Sequence, residues 1–116
     1  MDTLRRLVEK FSENVHMQNL HIESGNAADG NKCARKYIKA FRDLAAHGDV
    51  GREALAGLFN DPREDVRVMA ACFLLKYKHK EARAILEKAA RGESITALGA
   101  SEALKRWNEG TWELDT

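Results

Sequence analysis

Histidine, cysteine and serine side chains are the groups in this chain that could do chemistry. Glu13 and His16 have the spacing at which a ferritin-type helix supplies two metal ligands from one face. A di-iron bundle needs a second Glu-x-x-His pair and two further inward glutamates, and the sequence contains no second pair. Cys33 and Cys72 also lack the short spacing of zinc ligands. We therefore predict that the protein binds no metal and no cofactor.

The segment from Gly25 to Lys32 has the composition of a phosphate-binding loop but not its pattern. Its lysine comes one residue late, Cys33 follows where a Ser or Thr belongs, and a helix instead of a strand precedes it. We interpret the segment as a connector between two helices. Ser101 lies inside a helical pattern, without the Gly-x-Ser-x-Gly elbow of a nucleophilic serine. The chain is therefore predicted not to be an enzyme.

Six amphipathic helices, with no strand among them, account for the apolar pattern. They are predicted at about residues 3–23, 31–46, 50–59, 62–77, 79–91 and 95–109. Ile95 and Leu98 are assigned to the apolar face of the last of these helices, which is expected to be core. The predicted helix stops are Gly25, Gly48, Gly92 and Gly110, and the predicted caps are Asp49, Asp61 and Ser94. At the fourth helix Pro62 suits the first helical position, and Glu64 stands three residues after Asp61 to close a capping box.

Length and composition are those of a folded, soluble protein. At 116 residues the chain is predicted to form one domain, residues 1–116. Apolar residues make up 44% and charged residues 32%, which excludes the disordered class. The N-terminus lacks the apolar segment of a signal peptide, and no stretch is long enough to cross a membrane. Both cysteines fall on apolar helix stripes, so we predict buried, reduced thiols and a cytoplasmic location.

Two parts of the sequence resemble each other at a distance of about 28 residues. Residues 53–58 align with residues 81–86, and residues 66–76 align with residues 95–105. Small residues recur in the aligned helices, where they would let neighbours approach closely: Ala70, Ala71, Gly99 and Ala100. Each unit is a helix pair that cannot bury its apolar face alone, so the pairs are expected to stack.

The run from Asp61 to Ala71 resembles the second-helix signature of short HEAT-like repeats, including those of phycobilin lyases. The ending from Ala103 to Trp112 is similar to a family of short bacterial HEAT-like proteins of unknown function. The resemblance implies an all-α fold, a right-handed α-α superhelix of about three stacked helix pairs. We expect Trp112 and Leu114 to pack back over the last helix.

The resemblance also implies a structural role for Arg67. An arginine early in the second helix of HEAT-like units commonly pairs with an acid of a neighbouring unit. Asp65 or Asp49 could supply that acid here.

Second helices of stacked pairs line a shallow concave surface, and we predict a non-catalytic protein-interaction module that binds a protein partner there. The residues expected to project from this surface are Arg35, Lys36, Lys39, Arg63, Arg67, Tyr77 and Arg106. Two alternatives stay open: a nucleic-acid-binding protein using the basic faces of residues 32–42 and 76–91, or an immunity or regulatory protein for one dedicated partner. Self-association into a homodimer is also open, because a short stack ends in partly apolar faces.

Overall fold

In the computed structural model, residues 2–111 are described and form six α-helices. They are α1 (Asp2–Glu23), α2 (Ala27–Ala45), α3 (Asp49–Ala56), α4 (Glu64–Phe73), α5 (His79–Ala90) and α6 (Ile95–Asn108). A short 3₁₀ helix, Gly57–Asn60, follows α3, and no strand occurs within the described range. The prediction of an all-α protein is therefore confirmed. The predicted contacts of Trp112 and Leu114 lie outside the described residues.

Several helix ends follow the chemistry of their capping residues. The Ser94 hydroxyl accepts a hydrogen bond from the backbone N–H of Ala97 at 3.2 Å, so the predicted cap of α6 is confirmed. At the other end of α6, Gly110 has φ of +75°. The Gly110 N–H donates to the Trp107 carbonyl and the Thr111 N–H to the Arg106 carbonyl. This pair of bonds closes the helix. The left-handed backbone conformation at residue 110 favours glycine.

Other predicted boundaries were wrong by a few residues. Helix α4 begins at Glu64 and ends at Phe73, not at Pro62 and Tyr77. Its N-cap is Arg63 and has no side-chain cap bond. The Asp61 carboxylate instead accepts from the backbone N–H of Arg63 at 2.9 Å. This bond holds a turn before the helix, because Asp side chains readily bond backbone groups two residues on.

Two helix starts also differ from the prediction. Helix α2 begins at Ala27, inside the predicted connector, because the Asn26 side chain caps it by accepting from the Asp29 N–H at 3.2 Å. The N-cap of α3 is Gly48, with φ of +70°, and Asp49 is the first helical residue. An acid in the first turn still complements the partial positive charge of the helix end.

The chain divides into two compact units, Met1–Leu58 (unit 1) and Phe59–Thr116 (unit 2). In unit 1 the Phe11 and Tyr37 rings meet edge to face at 5.6 Å between α1 and α2. The Tyr37 hydroxyl donates to Gln18 Oε1 at 3.0 Å, which fixes the register of the two helices. At the end of α2, Gly51 of α3 lies so close to the Leu44 carbonyl that a Cβ would overlap it. Only glycine permits this approach.

Unit 2 is organised around a core of small and branched side chains from α4, the turn after it, α5 and α6. Phe59, Ile85, Ala90, Leu104 and Trp107 pack on it from the rim. The buried members are Val68, Ala71, Cys72, Leu75, Ala82, Leu86, Ala89, Ala100 and Ala103. The many alanines allow short distances between helix backbones, as the sequence predicts for Ala71 and Ala100. The single-domain assignment and the right-handed superhelix stay predictions.

None of the helices between residues 2 and 111 combines the length and the apolar character needed to cross a bilayer.

Candidate interaction surfaces

The seven predicted contact residues are divided between the two units. Arg35, Lys36 and Lys39 lie on α2 in unit 1, and all three are exposed. The other four lie in unit 2 and have different surroundings: Arg63, Arg67, Tyr77 and Arg106. Whether these residues bind a partner stays a prediction, but the structure shows which of them are committed to bonds within the protein.

The outer face of α2 is the most strongly charged surface of unit 1. Its buried stripe is Gly30, Cys33, Tyr37, Ala40, Phe41 and Leu44. The exposed residues of the helix are Ala27, Ala28, Asn31, Lys32, Arg35, Lys36, Lys39 and Arg42. We call the five cations of this set the α2 basic face. The two acids of the helix, Asp29 and Asp43, are half-buried at its edges.

Arg63 and Arg67 are held by the turn before α4. Arg63 Nε lies 3.3 Å from Asp61 Oδ1, and Arg67 Nη1 donates to the Asp61 backbone carbonyl at 2.7 Å. Asp61 therefore receives three hydrogen bonds, counting the one from the Arg63 backbone N–H. The prediction that Arg67 pairs with an acid is wrong for the described residues, because its guanidinium donates to a backbone carbonyl oxygen.

Tyr77 lies in the turn between α4 and α5 and is half-buried. The Lys78 ammonium lies 5.6 Å from the centre of its ring, within range of a cation–π contact. Beyond the turn, His79 stacks on Trp107 of α6 with 5.0 Å between ring centres and 28° between planes. Sequence reasoning missed this stack because the two residues are 28 positions apart (107 − 79) and belong to different helices.

The outer face of α6 exposes two large apolar side chains. Ile95 is 52% exposed and Leu98 is 71% exposed, although the sequence pattern assigned both to the core. The buried stripe of α6 is instead Ala97, Ala100 and Ala103. On a helical wheel Leu98 lies about 160° from Ala100. This angle could have indicated from the sequence that the two residues cannot both face the core.

The remaining members of this outer face are Gly99, Glu102 and Arg106, all exposed. Arg106 Nε donates to Glu102 Oε1 at 3.0 Å, one turn apart on the helix. A Cβ built on Gly99 meets nothing within 4 Å. The close helix approach predicted at Gly99 is therefore absent among the described residues. We refer to Ile95, Leu98, Gly99, Glu102 and Arg106 as the α6 outer face.

Both cysteines are buried, as the sequence predicts, and neither takes part in a disulfide. Desolvation by burial raises the pKa of the Cys72 thiol to about 12. Such a thiol stays protonated near neutral pH and makes a poor nucleophile. Across the part of the chain that the structure describes, no three His, Cys, Asp or Glu side chains come together as a metal site, and Glu13 and His16 belong to no such group.

Comparison with known proteins supports the fold and assigns no activity. No protein-family model and no curated protein matches the chain. Among solved structures the chain is similar to the crystal structure of the protein RPA1889 from Rhodopseudomonas palustris CGA009, with a TM-score of 0.87. The match covers 95% of this chain and 92% of the other at 24% sequence identity. At this identity the likeness shows a shared fold.

Proposed function

We propose that the protein is a non-catalytic interaction module and that the α6 outer face is a surface on which it binds a protein partner. The observation that carries the proposal is the exposure of Leu98, 71%, beside Ile95, 52%, on one side of one helix. Interface centres are rich in apolar side chains and arginine, surrounded by polar groups. Here Ile95 and Leu98 provide the apolar part, and the Glu102–Arg106 pair lies at its edge.

Gly99 supports the same surface. Glycine inside a helix lowers helix stability by roughly 0.5–1 kcal/mol relative to alanine. No neighbour among the described residues occupies the space that a Cβ would fill, so packing against them does not require glycine. An exposed glycine beside Leu98 leaves a recess that a partner side chain or backbone can enter. A local cost without an internal benefit is often found at functional sites.

The HEAT-like superhelix, a bacterial origin and a cytoplasmic location belong to this proposal as well. The internal repeat at about 28 residues and the all-α fold favour stacked helical units. Two buried cysteines that form no disulfide favour a reducing compartment. Of the sequence-predicted contact residues, Arg106 lies on the α6 outer face, whereas Arg63 and Arg67 serve the turn at Asp61.

The proposal is tested by affinity capture from cells of the source organism with three forms of the protein. Wild type should retain one protein in stoichiometric amount, and Leu98→Lys should lose it. Val50→Lys is the matched control, because Val50 is also an exposed apolar residue near a helix N-terminus, on α3. Both substitutions should leave the melting temperature almost unchanged, since they alter exposed positions. Equal retention by Leu98→Lys and wild type, or no stoichiometric protein at all, contradicts the proposal.

A further inference from the structure

The α2 basic face has a composition unlike that of the other helix surfaces. Its exposed positions hold five cations, no acid and no aromatic residue, with Ala27, Ala28 and Asn31 as the only other exposed residues of the helix. By contrast, the exposed positions of α5 and its C-cap mix the cations Lys80, Lys88 and Arg91 with the acids Glu81 and Glu87. The α2 basic face is thus a single-sign surface on a protein of net charge +1.

The spacing of the cations places them in one straight row. Lys32, Arg35, Lys39 and Arg42 follow each other at intervals of three, four and three residues. On a helical wheel they lie within about 50° of the direction opposite the buried stripe, and the row extends over roughly 15 Å. Neighbouring Cβ atoms in such a row are about 5–6 Å apart.

The helix under this row is held firmly. Tyr37 is anchored on its inner side by the hydrogen bond to Gln18 and by the edge-to-face contact with Phe11. Buried Phe41 and Leu44 continue the same inner side toward α3. The cations are therefore presented on a rigid support, and only their own side chains must be ordered when an anion binds.

Intramolecular partners neutralise only part of the row. Lys32 lies 3.8 Å from Asp29 and Lys39 lies 3.0 Å from Asp43, both as exposed pairs within one turn. Among residues 2–111, Arg35, Lys36 and Arg42 form no ion pair. The helix therefore carries a surplus of three positive charges, five cations less two acids, on one side. Exposed pairs are weak, so Lys32 and Lys39 can exchange their partners for a phosphate.

We propose that the α2 basic face binds the phosphate backbone of duplex nucleic acid without reading its sequence. A row of cations about 5–6 Å apart can contact successive phosphates along one strand. No aromatic side chain is present to stack on bases, and Asn31 is the only exposed amide of α2, so affinity rests on charge alone.

Two other anionic partners fit the surface less well. An acidic protein would find no apolar or aromatic anchor on this face, and such anchors supply most of the energy of protein interfaces. An anionic membrane would attract the cations, but the apolar side of α2 is buried and cannot enter the lipid. This activity is separate from the α6 outer face and does not depend on it.

The test is fluorescence anisotropy with a short labelled DNA duplex of mixed sequence, titrated at several salt concentrations between about 50 and 200 mM. The association constant of wild type should fall with salt with a log–log slope of roughly 3–5, about 0.9 for each neutralised phosphate. The triple variant Arg35→Gln/Lys39→Gln/Arg42→Gln should bind at least tenfold more weakly at the lowest salt, with a slope smaller by about 3. A second duplex of unrelated sequence should bind with the same affinity.

The matched control is Lys80→Gln/Lys88→Gln/Arg91→Gln, which removes the same charge from exposed positions of α5 and from its C-cap, Arg91. It should bind duplex within about twofold of wild type if the α2 row is the site, because interleaved acids weaken the field of α5. The Leu98→Lys variant should also bind duplex like wild type, which separates failure of this proposal from failure of the protein-binding proposal.

Four results overturn the inference. They are absence of duplex binding at the lowest salt, equal loss in the α2 and α5 triple variants, a salt slope near zero, and tighter binding of polyglutamate or phosphatidylserine vesicles than of duplex. The last result would assign the α2 basic face to an acidic protein or to a membrane. Circular dichroism of each variant at matching temperature establishes that the helices remain folded.

Discussion

The Arg67 guanidinium donates a hydrogen bond to the backbone carbonyl oxygen of Asp61 at 2.7 Å. The bond spans six positions and joins the first turns of α4 to the segment before it. The same aspartate holds Arg63 through its carboxylate. Two of the arginines that the sequence analysis assigned to a binding surface therefore form hydrogen bonds within this turn.

We expect Arg67→Ala to lower the free energy of unfolding by about 1–3 kcal/mol, because a half-buried carbonyl loses a charge-assisted partner. Urea denaturation measures the change. Arg83→Ala is the control, since Arg83 forms only a surface pair with Glu87 at 3.4 Å and should cost less than about 0.5 kcal/mol. An Arg67→Ala variant as stable as the Arg83→Ala variant would show that the bond to Asp61 contributes nothing.

Gly51→Ala is expected to be severely destabilising, by about 3 kcal/mol or more, because the new methyl group would overlap the Leu44 carbonyl. The obstacle is backbone, so no side-chain rotation relieves it. Gly57→Ala is the matched control at the end of the same helix, where nothing lies within 4 Å of a Cβ. Thermal melts of the two variants should differ by many degrees. Similar melting temperatures would mean that α3 moves away from α2 at little cost.

Gly99→Ala is expected to raise the stability of the protein by roughly 0.5–1 kcal/mol, since an exposed glycine inside α6 is replaced by a better helix former. The same substitution should weaken capture of a protein partner on the α6 outer face. Ser101→Ala is the control on another side of α6, and it should leave capture unchanged. Higher stability with full partner capture would indicate that the recess at Gly99 has no role in binding.

The free energy of unfolding should fall at high pH because the Cys72 thiol ionises more readily in the unfolded chain than in the folded protein. The pKa of this thiol is 9.0 in the unfolded chain, and burial raises that pKa to about 12 in the folded protein. Between these values the unfolded state loses the proton first, so rising pH favours unfolding by about 1.4 kcal/mol per pH unit. Below pH 9 both states hold the proton and the effect vanishes. Relative to Cys72→Ala, wild type should lose about 2 kcal/mol between about pH 8 and about pH 10.5 in urea titrations. Parallel losses in the two proteins would contradict the raised pKa.

The stack of His79 on Trp107 should stabilise unit 2. Aromatic pairs contribute roughly 0.5–1.5 kcal/mol beyond the area they bury. We expect His79→Ala to lower the free energy of unfolding by about that amount. His47→Ala, at an exposed position in the turn before α3, should change it little. If His79→Ala and His47→Ala changed the free energy of unfolding equally, the stack would contribute nothing to stability.

Local sequence signals were sufficient for the helices but not for every end or face. Ser94, Gly25 and Gly110 act within their own turn, so their effects were predictable. Asp61 was misread because a carboxylate can cap a helix or close a turn, and the choice depends on Arg63 and Arg67 beside it.

The error at the α6 outer face has a different cause. Hydrophobic residues on a short helix predict burial, but burial also needs a neighbouring element. The buried side of α6 is filled by alanines, which let the helix lie close to its neighbours. Ile95 and Leu98 then point away, and only the angular position of each residue on the wheel reveals it. The cations of α2 were recognisable from the sequence because their row is continuous. Their ion pairs with acids of the same helix could be identified only from the structure.

Burial of both native thiols has a practical consequence. A thiol-specific reagent finds both native cysteines buried in the folded chain, so a cysteine introduced by Leu98→Cys or Arg35→Cys becomes a unique attachment point. A crosslinker or spin label attached there would report which binding partner approaches that face in a cell extract. Wild type, with both cysteines buried, is the unlabelled control, and its native cysteines need not be replaced.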